Sequence, residues 1–233
     1  MFFKHLTHLT AAGIVVAMLI SPTISYAKRK ALPEVDNHGL HLVHDSKLKA
    51  VYLKPGAEFS GYKRVKILDS YVAFRKHWRR DHNETNPLSV SSSDMDKIKK
   101  LVAEEFHKVF VKELEKGGYS VVDETGDDVL LLRPAIINLD VEAPDTMSAG
   151  MNRTFAASAG SMTLYLELYD SAASDLIATV VDPEVARDYG RFMAQNRVTN
   201  LQAADEILKK WADTLRDYLD HAHKTAGGGA AGP

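Results

Sequence analysis

The sequence contains no cysteine, and that one absence removes disulfides, iron–sulfur ligation, thiol catalysis and lipid attachment through an N-terminal cysteine. Histidine and the carboxylates are left as its strong metal ligands. It also lacks a large charge of either sign. Lys+Arg total 29 against 31 Asp+Glu, a formal net charge of −2, so nothing global draws the chain to nucleic acid or to an anionic membrane surface. No Gly-rich phosphate loop, nucleophile elbow or zinc-protease helix occurs. No cofactor is implied, and the chain reads as a non-enzyme.

No apolar run reaches the roughly 20 residues of a membrane span. The longest, AAGIVVAMLI at 11–20, follows Lys4 and precedes a Ser21-Pro22 break and the small residues Ser25 and Ala27. That order predicts a secretory signal peptide over residues 1–27, cleaved after Ala27, and a periplasmic mature protein. Lys28, Arg29 and Lys30 come just after the site, and positive charge there opposes translocation, which keeps an uncleaved membrane tether as the alternative. Losing residues 1–27 removes one basic side chain and no acid, so the mature chain carries 28 basic against 31 acidic groups.

What is present fits one ordinary domain, with 233 residues and 45% hydrophobic content. Residues 28–49 show no sustained periodicity and read as an extended N-terminal arm, with a single domain over 50–223. Ala50–Leu53 and the stretch KRVKILDSYVAF (63–74) suit strands, and a polar excursion follows from Arg75 to Ser93. Ser93 is placed to cap a helix with Asp94 and Asp96 in its first turn. Ile98, Leu101, Val102, Val109, Phe110 and Leu114 share one face of that helix, and Gly117-Gly118 ends it.

After this helix the period falls to two. Tyr119–Val122 is a short strand candidate, and an apolar run covers Val129–Val141, with Pro134 marking an edge or a bulge. MTLYLELYD (162–170) alternates Leu164, Leu166 and Leu168 with Tyr165, Glu167 and Tyr169, and pairs with DLIATVVD (175–182) across SAAS as a hairpin with one buried face. A last helix opens with a capping box at Thr199 and Gln202, carries Ile207, Leu208, Trp211, Leu215 and Leu219 on one side, and precedes a disordered tail over 224–233. The predicted fold is α+β: a largely antiparallel sheet of about five strands with two amphipathic helices on one face.

NHGLHLVHD places His38, His41 and His44 three residues apart. In an extended arm His41 points away from the other two, so the three imidazoles do not converge and no metal site is predicted. The basic segment RKHWRR offers Arg75, Trp78 and Arg79 as an anion or acidic-partner site, against the simpler reading of a solvated loop. The acid pairs Glu104-Glu105 and Asp127-Asp128 read as solvated faces. The small-residue loop from Ala143 to Ser161 is unusually long for a link between strands, and Asn152 and Arg153 are its central polar groups.

The stretches VYLKPGAEFSGYKRVKILDSYVAFRKHW, VLLLRPAIINLDVEAPDTMSAG, LYLELYDSAASDLIATVVD and KKWADTLRDYLD together resemble a bacterial cell-envelope family of unknown function, over residues 43–219. The resemblance implies export. Many members of that family are lipoproteins, and it implies no catalytic residues. This chain departs from those members in having no cysteine to lipidate, so no lipid anchor is expected. Two functions then compete: a non-enzymatic envelope protein that binds another protein or a surface component, and a periplasmic hydrolase or small-ligand-binding enzyme with its site near the 143–161 loop.

Overall fold

Leucines at every second position of 164–168 face inward, with Leu164, Leu166 and Leu168 each at most 3% exposed, and they form the floor on which the helices rest. The computed structural model describes residues 31–85, 89–141, 154–156, 160–186, 193–195 and 197–228; the expected signal peptide lies outside them. The chain from Leu32 onward forms one compact unit. Its strands are β1 (His41–Leu42), β2 (Ala50–Leu53), β3 (Arg64–Ile67), β4 (Tyr71–Phe74), β5 (Ser120–Val121), β6 (Val129–Val141), β7 (Thr154–Ala156), β8 (Gly160–Asp170), β9 (Asp175–Val185) and β10 (Met193–Gln195). Its helices are α1 (Trp78–Thr85), α2 (Ser92–Lys116) and α3 (Arg197–Gly228).

The α+β class stands, but the expected five strands and two helices are too few. Among the described residues eight strands form one sheet in the order β1-β2-β9-β8-β6-β3-β5, with β4 also on β6, and β7 pairs with β10 separately. The sheet is largely antiparallel, as expected, but it is mixed. The β1–β2, β2–β9, β9–β8 and β8–β6 pairs are antiparallel, whereas β3 and β4 both run parallel to β6, and β5 parallel to β3. The parallel half exists because α2 carries the chain from β4 back to the start of β5 and β6, the crossover that parallel neighbours require.

Pro134 lies inside β6 rather than at an edge or a bulge, opposite Leu166 of β8. Leu68 donates its N–H to the Leu132 carbonyl, and residue 134, two positions on, turns its backbone to the same side. The donor Pro134 lacks would therefore point at residues 68–70, where β3 has ended and β4 not begun. The bulge of β6 comes later, between Ile137 and Asp140, where Asn138 takes a φ of 53°.

α2 is capped by Ser91, not Ser93: the Ser91 hydroxyl accepts from the Asp94 N–H at 3.1 Å and the Asp94 carboxylate accepts from the Ser91 N–H at 3.1 Å. The helix ends at Gly117. Phe106, Phe110 and Leu114 are its fully buried residues, while Leu101 stays 36% exposed. α3 is already helical at Arg197, two residues before the expected cap at Thr199, and it runs on to Gly228, past the expected start of the tail. Ile207, Leu208, Trp211, Leu215 and Leu219 of α3 share one core with the α2 aromatics and the β8 leucines.

Two buried or half-buried charges fix the registers. Glu113 of α2, 2% exposed, accepts from Arg216 of α3 at 3.1 Å and from Lys116 at 2.5 Å. Arg64 of β3 forks onto Asp128 at 2.9 and 2.6 Å, so this acid is an anchor for the start of β6 rather than part of a free solvated face. At the N-terminal side, β1 pairs with β2, and Leu40 is 3% exposed against Ala50 and Tyr52.

Candidate functional site

The basic segment around Trp78 is a helix with a buried anchor, not a solvated loop. Trp78 opens α1 at 2% exposure, stacked between Phe74 at 4.4 Å and His82 at 5.0 Å. Its indole N–H donates to Oδ1 of Asp140 at 2.9 Å, and Arg75 Nε donates to Oδ2 of the same carboxylate at 2.6 Å. Arg75 Nη1 continues to Asp81 at 2.7 Å, which also accepts from Arg80 at 2.9 Å. The hydrogen bond from Arg75, then that from Arg80, holds the Asp81 carboxyl below its ordinary range. Burial pushes the His82 imidazole down, against the opposing pull of Asp140.

Both oxygens of Asp140 are thus occupied, and Arg75 bonds two carboxylates through Nε and Nη1. The structure brings Arg75 and Trp78 together around the Asp140 carboxylate, with the Arg75 side chain 37% exposed. Arg79 turns elsewhere and donates to the Ser92 hydroxyl at the start of α2. Asn152 and Arg153 lie outside the described residues. His41 is in β1 and His44 pairs with Glu34 at 3.1 Å. Among the described residues no three His, Cys, Asp or Glu side chains stand close enough to hold a metal ion, and no helix is long and apolar enough to cross a membrane.

A different place has the form of a binding site. Between the β8–β9–β2 surface and α3 lies a cavity of about 320 Å³, within the size range of small-molecule pockets. Its floor is Leu164, Leu166, Leu168, Ala178, Val180 and Val51, and its roof is Trp211 and Leu215. Phe59 and Tyr218 close one end, edge to face at 5.1 Å. The remaining wall is the strap from Val43 to Leu48.

That strap is fixed at both ends. Val43 donates its N–H to Val51 at 2.8 Å, and Lys49 donates its N–H to the Asp182 carboxylate at 2.7 Å. Polar lining groups come from the strap and from α3: Asp45, Ser46, Lys47, Thr214, Asp217 and the hydroxyl of Tyr218. Lys47 Nζ lies 3.5 Å from Asp217 Oδ2, bridging strap and helix. The interior can therefore take an apolar body by burial, while a polar end must stay at the rim.

Sequence reasoning missed this cavity. Its lining comes from six separated stretches, none with a motif. The one local hint is Ala178, a small side chain in a floor of leucines and valines, which leaves room beneath the helix.

The family model described as "Protein of unknown function (DUF3313)" matches residues 39–215. No curated protein matches the sequence at a significant level. Among solved structures, the chain is similar to a DUF330 protein from Xanthomonas campestris at 11% identity and a TM-score of 0.40, covering 74% of this chain and 91% of that one. It is similar to PelC from Paraburkholderia phytofirmans, a dodecamer, at 9% identity and a TM-score of 0.37, covering 71% and 96%. A minor lipoprotein from Acinetobacter baumannii is similar at 8% identity and a TM-score of 0.33, covering 69% and 94%.

Proposed function

The chain belongs to the DUF3313 family of unknown function, and from that premise we propose that it is a non-catalytic, exported protein of the bacterial cell envelope that binds the apolar part of a ligand in the cavity under α3. The observation that carries this reading is the composition of the cavity lining: the sheet contributes only aliphatic side chains, Phe59, Trp211, Leu215 and Tyr218 add apolar surface, and the charged groups come only from the strap and α3. Burial of apolar ligand surface supplies the affinity, at roughly 0.8 kcal/mol per methylene taken out of water. No described group near the cavity combines a nucleophile with a base. The competing hydrolase reading rests on the 143–161 loop, most of which lies outside the described residues.

Export rests on the signal-peptide pattern of residues 1–27. Intact-mass measurement on periplasmic extract is expected to give a chain beginning at Lys28, and a membrane-pelleted species retaining residues 1–27 counts against it. Binding is tested by adding N-phenyl-1-naphthylamine to the purified mature protein. Fluorescence is expected to rise with saturable, one-site behaviour and to fall on adding decyl maltoside below its micelle concentration. Ala178→Leu, from the floor, and separately Thr214→Leu, from the polar side of α3, fill the space and are expected to abolish the signal. No enhancement in the native protein, or unchanged enhancement in both variants, overturns the reading.

A further inference from the structure

We infer that the rim of the α3 cavity selects a cationic head group, so that the ligand class is a single-chain amphiphile ending in an amine or a quaternary ammonium. This deepens the binding function proposed above and rests on it. The chain length follows from the volume. A methylene takes about as much space as a water molecule in the liquid, ~30 Å³, so about 320 Å³ accommodates one alkyl chain of roughly ten carbons and not two.

The head follows from the charge balance of the lining, in which one ammonium, Lys47, stands against two carboxylates, Asp45 and Asp217. Lys47 and Asp217 already pair at 3.5 Å. Asp45 has no hydrogen-bond or ion-pair partner among the described residues, and its neighbour His44 is engaged with Glu34. A cationic head therefore takes Asp45 while the Lys47–Asp217 pair stays closed, and every lining charge then has a partner. An anionic head reaches Lys47 only by drawing it from Asp217, which leaves both carboxylates unpaired beside it. A zwitterion gains nothing over the cation, since its anionic end either opens that pair or stays in water. Tyr218, next to Asp217 on α3 and 40% exposed, adds an aromatic ring to the same lining, and the face of such a ring attracts a cation and not a carboxylate. Asp45 is exposed, so its contact with the head is made in water and the discrimination is modest, about fivefold in Kd.

The test displaces the naphthylamine probe, at neutral pH and low salt, with three decyl amphiphiles below their micelle concentrations: decyltrimethylammonium, decanoate and decyl maltoside. Decyltrimethylammonium is expected to bind about fivefold more tightly than decanoate, and added salt is expected to narrow the gap. Asp45→Asn removes the charge at nearly constant size, and asparagine tolerates the φ of 63° that the chain takes there. This variant is expected to bind decyltrimethylammonium about fivefold more weakly, while the uncharged maltoside binds as before and reports that the cavity is intact. If none of the amphiphiles displaces the probe from the native protein, the binding function falls and this inference falls with it. If decanoate binds as well as decyltrimethylammonium or better, or if Asp45→Asn leaves the affinity for the cation unchanged or weakens all three ligands alike, the cavity reading survives and the cationic head is overturned.

Discussion

Trp211 on α3 donates its indole N–H to Oδ2 of Asp182 on β9 at 2.8 Å, while Oδ1 of that carboxylate accepts the backbone N–H of Lys49 at 2.7 Å. Trp211 is 1% and Asp182 3% exposed. One buried acid thus ties the roof helix, the sheet and the strap of the cavity together, and its charge is offset by two donors and by Lys210 at 4.0 Å.

Trp211→Ala is expected to cost about 3–5 kcal/mol, because it empties a core position and strips a donor from a buried carboxylate. Trp211→Phe keeps most of the ring and loses the donor, for about 1–3 kcal/mol. Phe110→Ala falls in the same cluster, where Phe110 stacks on Phe106 at 3.9 Å. Denaturant melts of the single variants and the Trp211/Phe110 double measure all three, and a loss near zero for Trp211→Ala would mean that α3 does not seal the core.

The Asp140 cluster makes a prediction of its own. Asp140→Ala leaves the Trp78 indole N–H and one arm of Arg75 without acceptors, and a loss of roughly 1–3 kcal/mol is expected. Ligand binding in the α3 cavity should be unchanged in the folded variant. Probe titration beside the melt decides it, and a binding defect without a stability defect would favour Arg75 and Trp78 as site residues.

Two glycines should respond differently to the same change. Gly160 takes a φ of 130°, and an added Cβ would meet the Asp140 carbonyl oxygen at 2.1 Å, against backbone that cannot yield. At Gly117 the Cβ would meet the Arg216 Cγ at 2.7 Å and the Tyr119 ring at 2.9 Å, both side-chain atoms, at an ordinary backbone φ of −79°. Gly160→Ala is therefore expected to lower the melting temperature far more than Gly117→Ala, and equal effects would contradict the β6–β8 register.

Stability should fall at both ends of the pH scale. The Arg64 hydrogen bonds hold the Asp128 carboxyl below its ordinary 3.8, and the Ala173 N–H, against burial, does the same for Asp170. Groups whose folded pKa is depressed stabilise above the unfolded value and lose that contribution as pH falls below it. Burial, then the bond to Asp170, pushes Tyr62 up to about 12, and burial, then the Glu167 charge, does so for Tyr165. A raised folded pKa keeps its contribution below the ordinary 10.0 and loses it as pH climbs towards 12. Denaturant midpoints across pH, with tyrosinate absorbance followed on the alkaline side, check both limbs; a flat profile below pH ~4 would remove the carboxylate argument.

Much of the frame was legible where the period was long. Leu164, Leu166 and Leu168 announced the β8–β9 hairpin, and the stripes on α2 and α3 announced two helices facing a sheet. The start of α2 was misplaced because Ser91, Ser92 and Ser93 all make plausible caps, and the reciprocal bonds with Asp94 are what single out Ser91. α1 was missed because Trp78 is its one buried residue and a lone aromatic has no period. The parallel pairing of β3 and β4 with β6 escaped notice because these strands are four residues each, with Arg64 and Lys66 in one of them. The cavity could not be read at all, since it is a property of how α3 stands over β8 and β9.

The lengths of the outermost strands bear on how such a chain survives at high concentration. A sheet border with many free N–H and C=O groups is a template on which another chain can add and aggregate. Here the strands at the two ends of the path, β1 and β5, are two residues each. Where β2 stops short of the end of β9, the next residue of β9 facing that side is Pro183: Ile177 accepts from Lys54 of the β2 flank, and alternate residues from there turn the same way. Proline offers no N–H, so this exposed stretch of β9 is a poor template too. The two ends of the path and this stretch of β9 therefore offer a poor template for growth into fibres, and among the described residues the four-residue β4, paired on one side with β6, is the longer border strand.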